Sequence, residues 1–209
     1  MSTDKPGITS QRRERAFREA VSYRQFVESA QVNADRLNAN YEAYRLTGEE
    51  QASLAEIPEP IDVLVLAHDW CGDVVANLPL FARIEQETGK LKLRILPRDP
   101  DNRDIAESYA PADGRSRIPT YIFFDQAGRE LGVFIERPDS ITELNKIWGE
   151  QFWDEHPEWD GRGRAPSELE ETVRKAYFAF LMKEKRPTVR DREKQAIIEK
   201  IKSIAAAGA

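Results

Sequence analysis

Residues 61–150 alternate between short apolar runs and longer stretches with helical periodicity, and this alternation restricts the chain to an α/β fold. The pattern predicts the element order β-α-β-α-β-β-α. Only a short turn at 126–128 separates the last two strands, so we expect an antiparallel hairpin on a partly parallel sheet of about four strands. The predicted elements are strands at 61–67, 91–96, 120–125 and 130–136, and helices at 72–88, near 101–109 and at 140–150.

The segment before this region is predicted to be helical. Between residues 10 and 46, apolar side chains recur at spacings of three and four, which indicates a single apolar seam along one helix or two. Polar residues followed by Pro58 and Pro60 indicate a linker. The first ten residues have no apolar core, so we expect no signal peptide.

The segment after the last predicted element is interpreted as a loop, residues 151–166, followed by two helices. Ser167 and Glu170 form a capping-box pattern for a helix to about residue 185, which Pro187 ends. A last helix is predicted over 189–204. The patterns divide the chain into an N-terminal helical extension (1–58), an α/β domain (59–150) and a C-terminal loop and helical extension (151–209) expected to pack on the core.

Composition argues against several classes of function. The 209 residues carry a formal net charge of −6, which argues against a general binder of nucleic acid or of an anionic membrane. No apolar run reaches 18 residues, so we predict no membrane-spanning segment. Two histidines and one cysteine without a ligand spacing predict no metal site, and we expect no cofactor. One cysteine allows no internal disulfide, which fits a cytoplasmic protein.

That cysteine, Cys71, lies in the sequence Trp-Cys-Gly-Asp, where a predicted strand ends and a predicted helix begins. The N-terminus of a helix carries a partial positive charge, which favours the thiolate, the form of cysteine that reacts. The alternative is a small buried residue without a chemical role, as free cysteines often are. The position therefore predicts either a reactive thiol or an inert core residue.

The motifs around Cys71 resemble those of the thioredoxin family. Trp70–Gly72 follows a strand and precedes a helix, Pro79 lies where thioredoxins have a helix-kinking proline, and Ile118–Thr120 precedes a later strand. The resemblance covers about residues 60–150 and implies a three-layer thioredoxin-like fold, with Pro119 cis and against Cys71. The Trp-Cys-Gly-Asp sequence is similar to that of a bacterial thioredoxin-like subgroup in which some members also lack the second cysteine.

Two positions depart from the thioredoxin pattern. Val74 replaces the second cysteine of the family, three residues after Cys71. Val65 replaces the buried aspartate that helps to deprotonate that second thiol. Dithiol reduction, in which the second thiol expels the product, therefore cannot occur within this chain.

The resemblance implies catalytic roles for Cys71, as the nucleophile, and for Pro119. Ile118 and Pro119 would hold the backbone of the partner. Two loop arginines would either offset the charge of Asp73 or bind the carboxylates of a small thiol such as glutathione. The candidate substrate-binding residues are Trp70, Gly72, Asp73, Arg115, Arg117 and Ile118.

Each polar candidate also has an alternative interpretation. Asp73 can be a helix-capping acid, and its charge would oppose ionisation of Cys71. Arg115 and Arg117 can be residues of a solvated loop. His68 is either a proton shuttle for the thiol or a histidine that is simply hydrogen-bonded.

From these residues we expect single-cysteine thiol–disulfide chemistry. The partner would be a protein disulfide or a small-thiol disulfide, and a thiol from outside the chain would resolve the intermediate. A homodimer joined through Cys71 of each copy is also possible. The alternative is a redox-inactive thioredoxin-like module that binds a peptide or small ligand without turnover.

Overall fold

The computed structural model describes residues 7–207. Residues 1–6 and 208–209 lie outside this part. The predicted N-terminal extension begins in the first of these segments, as does the stretch for which no signal peptide is expected. Within it, a mixed sheet flanked by helices confirms the predicted α/β fold class. The strands are β1 (Ile61–Ala67), β2 (Leu91–Pro97), β3 (Thr120–Phe124) and β4 (Glu130–Ile135).

The sheet has the strand order β2-β1-β3-β4. β1 runs parallel to β2 and antiparallel to β3, and β3 and β4 form the expected antiparallel hairpin. The helices are α1 (Ser10–Glu19), α2 (Tyr23–Ser29), α3 (Ala34–Ala43), α4 (Gly48–Ala55), α5 (Gly72–Thr88), α6 (Arg103–Ser108), α7 (Asp139–Glu155), α8 (Glu171–Ala179) and α9 (Arg190–Ala207).

The chain divides into two compact units. The first comprises Met1–Glu136 and Ile198–Ala209 and contains the sheet. The second comprises Arg137–Ile197 and is helical in its regular structure. The boundary near the C-terminus falls within α9, so the last part of that helix belongs to the first unit.

Helices of the first unit cover both faces of the sheet. Successive residues of a strand point to opposite faces, so the apolar run of β1 supplies side chains to both. On one face, Phe81 of α5 packs on Tyr121 of β3, with ring centroids 4.0 Å apart. On the other face, Leu64 and Leu66 share an apolar cluster with Ala16 of α1 and with α6. β1 is therefore a central strand, and α5 begins directly at its carboxyl end.

The N-terminal prediction of one or two helices is wrong, because this segment forms α1, α2 and α3. Between α1 and α2, Val21 is extended and exchanges two backbone hydrogen bonds with Ile95 of β2, at 2.9 and 3.0 Å. Helix α2 then begins at a capping box formed by Ser22 and Gln25. The junctions between α1 and α2 and between α2 and α3 lie within a continuous apolar periodicity. The periodicity alone therefore does not show where one helix ends and the next begins.

The predicted linker before Pro58 is also partly wrong, because it contains α4. Thr47 Oγ1 accepts from the backbone N–H of Glu50 at 3.1 Å, and the Glu50 carboxylate accepts from the N–H of Thr47 at 2.8 Å. This reciprocal pair satisfies two N–H groups at the start of the helix. Leu54 of the same helix is fully buried.

The C-terminal predictions need three corrections. Helix α7 continues to Glu155, into the segment predicted as a loop. Helix α8 begins at Glu171, capped by Glu170, rather than at Ser167. A π-helical turn and a 3₁₀ turn then lead into α9, so Pro187 does not interrupt the helical path. The predicted last helix is confirmed, with the bounds Arg190–Ala207.

The second unit has an aromatic core and a buried ion pair. Phe152 lies at the centre of the aromatic cluster, with rings from α7, α8 and the intervening loop around it. Arg186 and Glu193 are 3% and 1% exposed and form a bidentate pair, with N–O distances of 3.0 and 2.5 Å. Such a pair keeps two charges satisfied away from water.

Candidate functional site

Cys71 is the N-cap residue of α5 and is partly buried. The preceding turn is closed by a hydrogen bond from the Cys71 N–H to the carbonyl of His68, at 3.1 Å. The Cys71 carbonyl accepts from the N–H of Val75 at 3.0 Å, as an N-cap residue does. The sequence therefore places the thiol at the first turn of α5, as its position between strand and helix predicted.

The thiol faces a backbone carbonyl. Cys71 Sγ donates to the carbonyl oxygen of Ile118 at 3.4 Å. An acceptor at this distance stabilises the protonated thiol, whereas the N-terminus of α5 favours the thiolate. The two influences on the Cys71 thiol therefore oppose each other.

The carbonyl belongs to a loop with the predicted geometry. The Ile118–Pro119 peptide bond is cis. Thr120 is buried, and its hydroxyl donates to the carbonyl of Arg117 at 2.7 Å, which closes the loop on itself. The structure thus places Cys71 beside Ile118, the residue before the cis Pro119.

Asp73 and Val74 are both buried in the first turn of α5. Asp73 is 5% exposed, which makes it a buried carboxyl group two residues from the thiol, rather than a solvated one. Val74, at the position of the missing second cysteine, is fully buried, as is Val65 in β1. The two substitutions that separate this chain from a dithiol thioredoxin are therefore both apolar and internal.

Trp70 is an exposed side chain of the site, with 55% of its surface accessible. It stacks on His68, with ring centroids 5.3 Å apart and planes 13° apart. His68 Nε2 accepts from the backbone N–H of Asp99 at 3.1 Å and lies 3.4 Å from the Asp99 carboxylate. This geometry favours the interpretation of His68 as a hydrogen-bonded support for Trp70.

Asp99, whose N–H binds His68, is itself hydrogen-bonded to two arginines. Its carboxylate accepts hydrogen bonds from Arg98 and Arg103, and these lower the pKa of Asp99 to about 2. The Asp69 carboxylate accepts from the N–H groups of Gln31 and Val32 at 2.5 and 2.8 Å. The loop between α2 and α3 therefore lies beside Asp69, the residue before Trp70.

The two candidate arginines differ in their surroundings. The Arg117 guanidinium pairs with Asp113 and, through Nε at 3.2 Å, with Glu136. The hydrogen bond from Arg117, followed by the one from the Arg115 N–H, lowers the pKa of Asp113. The Arg115 side chain is exposed. The ion pairs of Arg117 thus hold the loop that precedes Ile118, while Arg115 is accessible to solvent on that loop.

Two residues of the site were not identified from the sequence. Glu136 is the only non-glycine residue of the described chain, 7–207, with a positive φ, 57°, and its N–H donates to the Pro119 carbonyl at 2.8 Å. Its own carbonyl accepts from Asn77 Nδ2 at 2.6 Å. Asn77 had a detectable signal, because it is a polar residue inside the apolar sequence of α5.

A separate cleft of about 710 Å³ lies between α2, α3 and α5. Tyr23, Tyr41 and Glu85 are among its lining residues, and none of the residues around Cys71 lines it. Burial raises the pKa of Tyr23 and of Glu85. The cleft therefore does not enlarge the Cys71 site.

Within residues 7–207, no group of three or more His, Cys, Asp or Glu side chains is arranged to hold a metal ion. Over the same part of the chain, no helix combines the length and the apolar character needed to cross a membrane.

Two solved structures are similar to this chain. One is a protein of unknown function from Pseudomonas aeruginosa, 19% identical, with a TM-score of 0.56 over 79% of this chain and 92% of that one. The other is an HIV epitope-scaffold, 21% identical, with a TM-score of 0.55 over 62% of this chain and 79% of that one. At these identities the likeness shows a shared fold.

No curated protein matches the sequence. A family model described as thioredoxin matches residues 20–151, more than half of the 209 residues. The match contains the whole Cys71 site and also α2, α3 and α4. The chain therefore belongs to the thioredoxin family.

Proposed function

We propose that this protein carries out thiol–disulfide exchange through the single thiol of Cys71, as a member of the Trp-Cys-Gly-Asp subgroup that lacks the second cysteine. The observation that carries the proposal is the position of Cys71 Sγ, at the start of α5 and 3.4 Å from the Ile118 carbonyl of the Pro119 loop. A core cysteine without a role requires neither of these neighbours.

The exchange has two balanced steps. After the Cys71 proton passes to solvent, the thiolate attacks one sulfur of a partner disulfide, forms a Cys71–partner disulfide and expels the other sulfur as a thiolate. A thiolate from outside the chain then attacks the partner sulfur of the mixed disulfide, forms a disulfide with the partner and releases Cys71 as a thiolate. Val74 supplies no thiol for this step, so the external thiol is obligatory.

Deprotonation of the Cys71 thiol also removes a hydrogen bond to the neighbouring backbone. The Ile118 carbonyl, which accepts from the thiol at rest, loses that donor when the proton leaves. It then becomes an acceptor for a backbone N–H of the partner, beside the reacting sulfur. Trp70 offers an exposed apolar surface to the same partner, and Arg115 offers a cation to its carboxylates.

The proposed partners are protein disulfides or the disulfide of a small thiol, in a reducing compartment such as the cytoplasm, where an external thiol is available. In the absence of such a thiol, the Cys71 thiolate of a second copy can attack the Cys71 sulfur of a mixed disulfide, form a Cys71–Cys71 disulfide and release the partner as a thiolate. Nucleic acid and membrane surfaces are not proposed as partners, because the net charge is −6.

The test is incubation of the native protein with glutathione disulfide, followed by mass spectrometry of the intact chain. We expect one glutathione on the wild type and none on Cys71→Ser. Added dithiothreitol should remove the glutathione and restore the original mass. Wild-type protein that remains unmodified, although its thiol reacts with glutathione disulfide in urea, would refute the proposal.

A second function, that of a redox-inactive binding module, is favoured by one observation. The Cys71 thiol is partly buried and donates to a carbonyl, and both features stabilise the unreactive form. The same experiment separates the two functions, because the binding module requires a Cys71 that is protected in the folded state.

A further inference from the structure

Asn77 is a fully buried polar residue on α5, between the apolar residues Val75 and Leu78 and near Phe81. Its Oδ1 accepts from the Tyr121 hydroxyl at 2.5 Å, and its Nδ2 donates to a backbone carbonyl at 2.6 Å. A buried amide is stabilised only when it is hydrogen-bonded, so an apolar side chain is the simpler occupant of this position. The two bonds therefore indicate a specific task for the amide.

The carbonyl that Asn77 binds belongs to Glu136, the residue directly after β4. Glu136 has a left-handed backbone conformation, which is unfavourable for a residue with a side chain and persists only where neighbouring contacts hold it. Its N–H donates to the Pro119 carbonyl at 2.8 Å. Glu136 thus links the Asn77 amide to the Pro119 loop, and we call this path the Asn77–Glu136–Pro119 bridge.

The bridge and the thiol contact are two ends of one connection between α5 and the Pro119 loop. The first end is the Asn77 amide, and the second is the bond from Cys71 Sγ to the Ile118 carbonyl. Cys71 and Asn77 lie six residues apart, or about 9 Å along the helix axis. Two contacts at this separation fix both the distance and the tilt of the loop relative to the thiol.

We propose that Asn77 is a positioning residue for the Cys71 exchange, a role that rests on the function proposed above. When the thiol loses its proton, the contact with the Ile118 carbonyl is lost, while the bridge still connects α5 to the loop. A partner disulfide then meets a loop that is already in place. Because displacement at sulfur requires an aligned approach, a loop shift of about 1 Å is enough to slow the exchange substantially.

The experiment compares two reactions of the same thiol. The first is exchange with an acetylated peptide whose cysteine carries a thionitrobenzoate group. Cys71 attacks the peptide sulfur, forms a Cys71–peptide disulfide and releases coloured thionitrobenzoate. The second is alkylation by iodoacetamide, which needs only an ionised and accessible thiol. The ratio of the two rate constants isolates the contribution of partner positioning.

The decisive variant is Asn77→Asp, which keeps an acceptor for the Tyr121 hydroxyl but replaces the donor to Glu136 by a second acceptor. Tyr121→Phe is the matched control, because it removes the other hydrogen bond of Asn77 and leaves the bridge intact. Asn77→Leu has a similar size and needs no partner, so it replaces Asn77→Asp if the buried carboxyl group prevents folding.

We expect the rate ratio to fall about tenfold or more in Asn77→Asp and to stay within about twofold of wild type in Tyr121→Phe. Hydrogen-exchange protection of the Glu136 amide should fall in the first variant and persist in the second. An unchanged ratio in Asn77→Asp, or an equal fall in Tyr121→Phe, would overturn the positioning role and leave the proposed function standing. Wild-type thionitrobenzoate release no faster than that of Cys71→Ser would overturn both.

Discussion

Replacing Val74 by cysteine should convert the single thiol into a dithiol site. Residue 74 lies one helical turn after the N-cap Cys71. Three residues of helix rise about 4.5 Å and rotate by about 300°, so the two Cα atoms lie about 5 Å apart. A disulfide spans Cα separations of about 4.4–6.8 Å. The geometry of α5 therefore permits an internal bridge.

The expected change in stability follows from loop closure and from the lost side-chain volume. A bridge that closes a four-residue loop removes about 6 cal/mol/K of chain entropy from the unfolded state, or about 2 kcal/mol at 25 °C. Val74 is fully buried, so its replacement by a smaller side chain costs about 1 kcal/mol. The oxidised variant should therefore be about 1 kcal/mol more stable than wild type, and its reduced form about 1 kcal/mol less stable.

The assay combines a thiol count with urea unfolding of the oxidised and reduced variant. Insulin reduction with dithiothreitol then compares wild type, Val74→Cys and Cys71→Ser. We expect turnover above the dithiothreitol background only in Val74→Cys, since only this variant resolves its own mixed disulfide, and Val65 should keep that turnover below the rate of a thioredoxin. The reasoning about the helix end fails if the oxidised variant retains two free thiols, or if oxidation lowers its stability.

Three further predictions concern other parts of the chain. The pKa of Asp99 is about 2, against an ordinary value of 3.8, so its stabilising contribution is present above about pH 4 and is lost as the pH falls towards 2. Asp99→Asn should therefore make the free energy of unfolding less dependent on pH, measured by urea unfolding from pH 5 to 2. Glu193→Ala should destabilise the second unit by about 3–5 kcal/mol, because it leaves the buried Arg186 without this carboxylate. Tryptophan fluorescence in urea would measure this loss. A loss below about 1 kcal/mol would contradict the buried ion pair. Trp70→Ala should slow exchange with the thionitrobenzoate peptide, because the exposed ring supplies contact area to a partner. The rate of iodoacetamide alkylation should stay within about twofold of wild type, and equal slowing of both reactions would contradict this role.

Much of the α/β core could be predicted from the sequence because its local signals agree with its tertiary contacts. The bounds of β1 and α5 match the predicted residues, since an apolar run meets a helical pattern at Cys71. The pairing of β3 with β4 followed from the short turn between them. The start of α4 was also predictable in principle, because Thr47 and Glu50 form a capping box that the apparent linker composition concealed.

The remaining features depend on contacts that are distant in sequence. The backbone conformation of Glu136 has no sequence signal, because it follows from bonds to Pro119 and Asn77, which are 17 and 59 residues away. The burial of Asp73 could not be predicted either, since an acid in the first turn of a helix is ordinarily solvated. Composition favoured a loop after residue 150, but the aromatic residues there pack within the helical second unit.

The hydrogen bonds that reach β2 from outside the sheet have a consequence for self-association. β2 has one strand neighbour, and its opposite side would present unpaired N–H and carbonyl groups to any extended chain. Val21 takes both groups of Ile95, and the Glu85 carboxylate takes the N–H of Leu93 at 2.9 Å. The side of β2 that faces away from β1 is therefore occupied at Leu93 and Ile95, which hinders strand exchange and edge-to-edge aggregation along this edge.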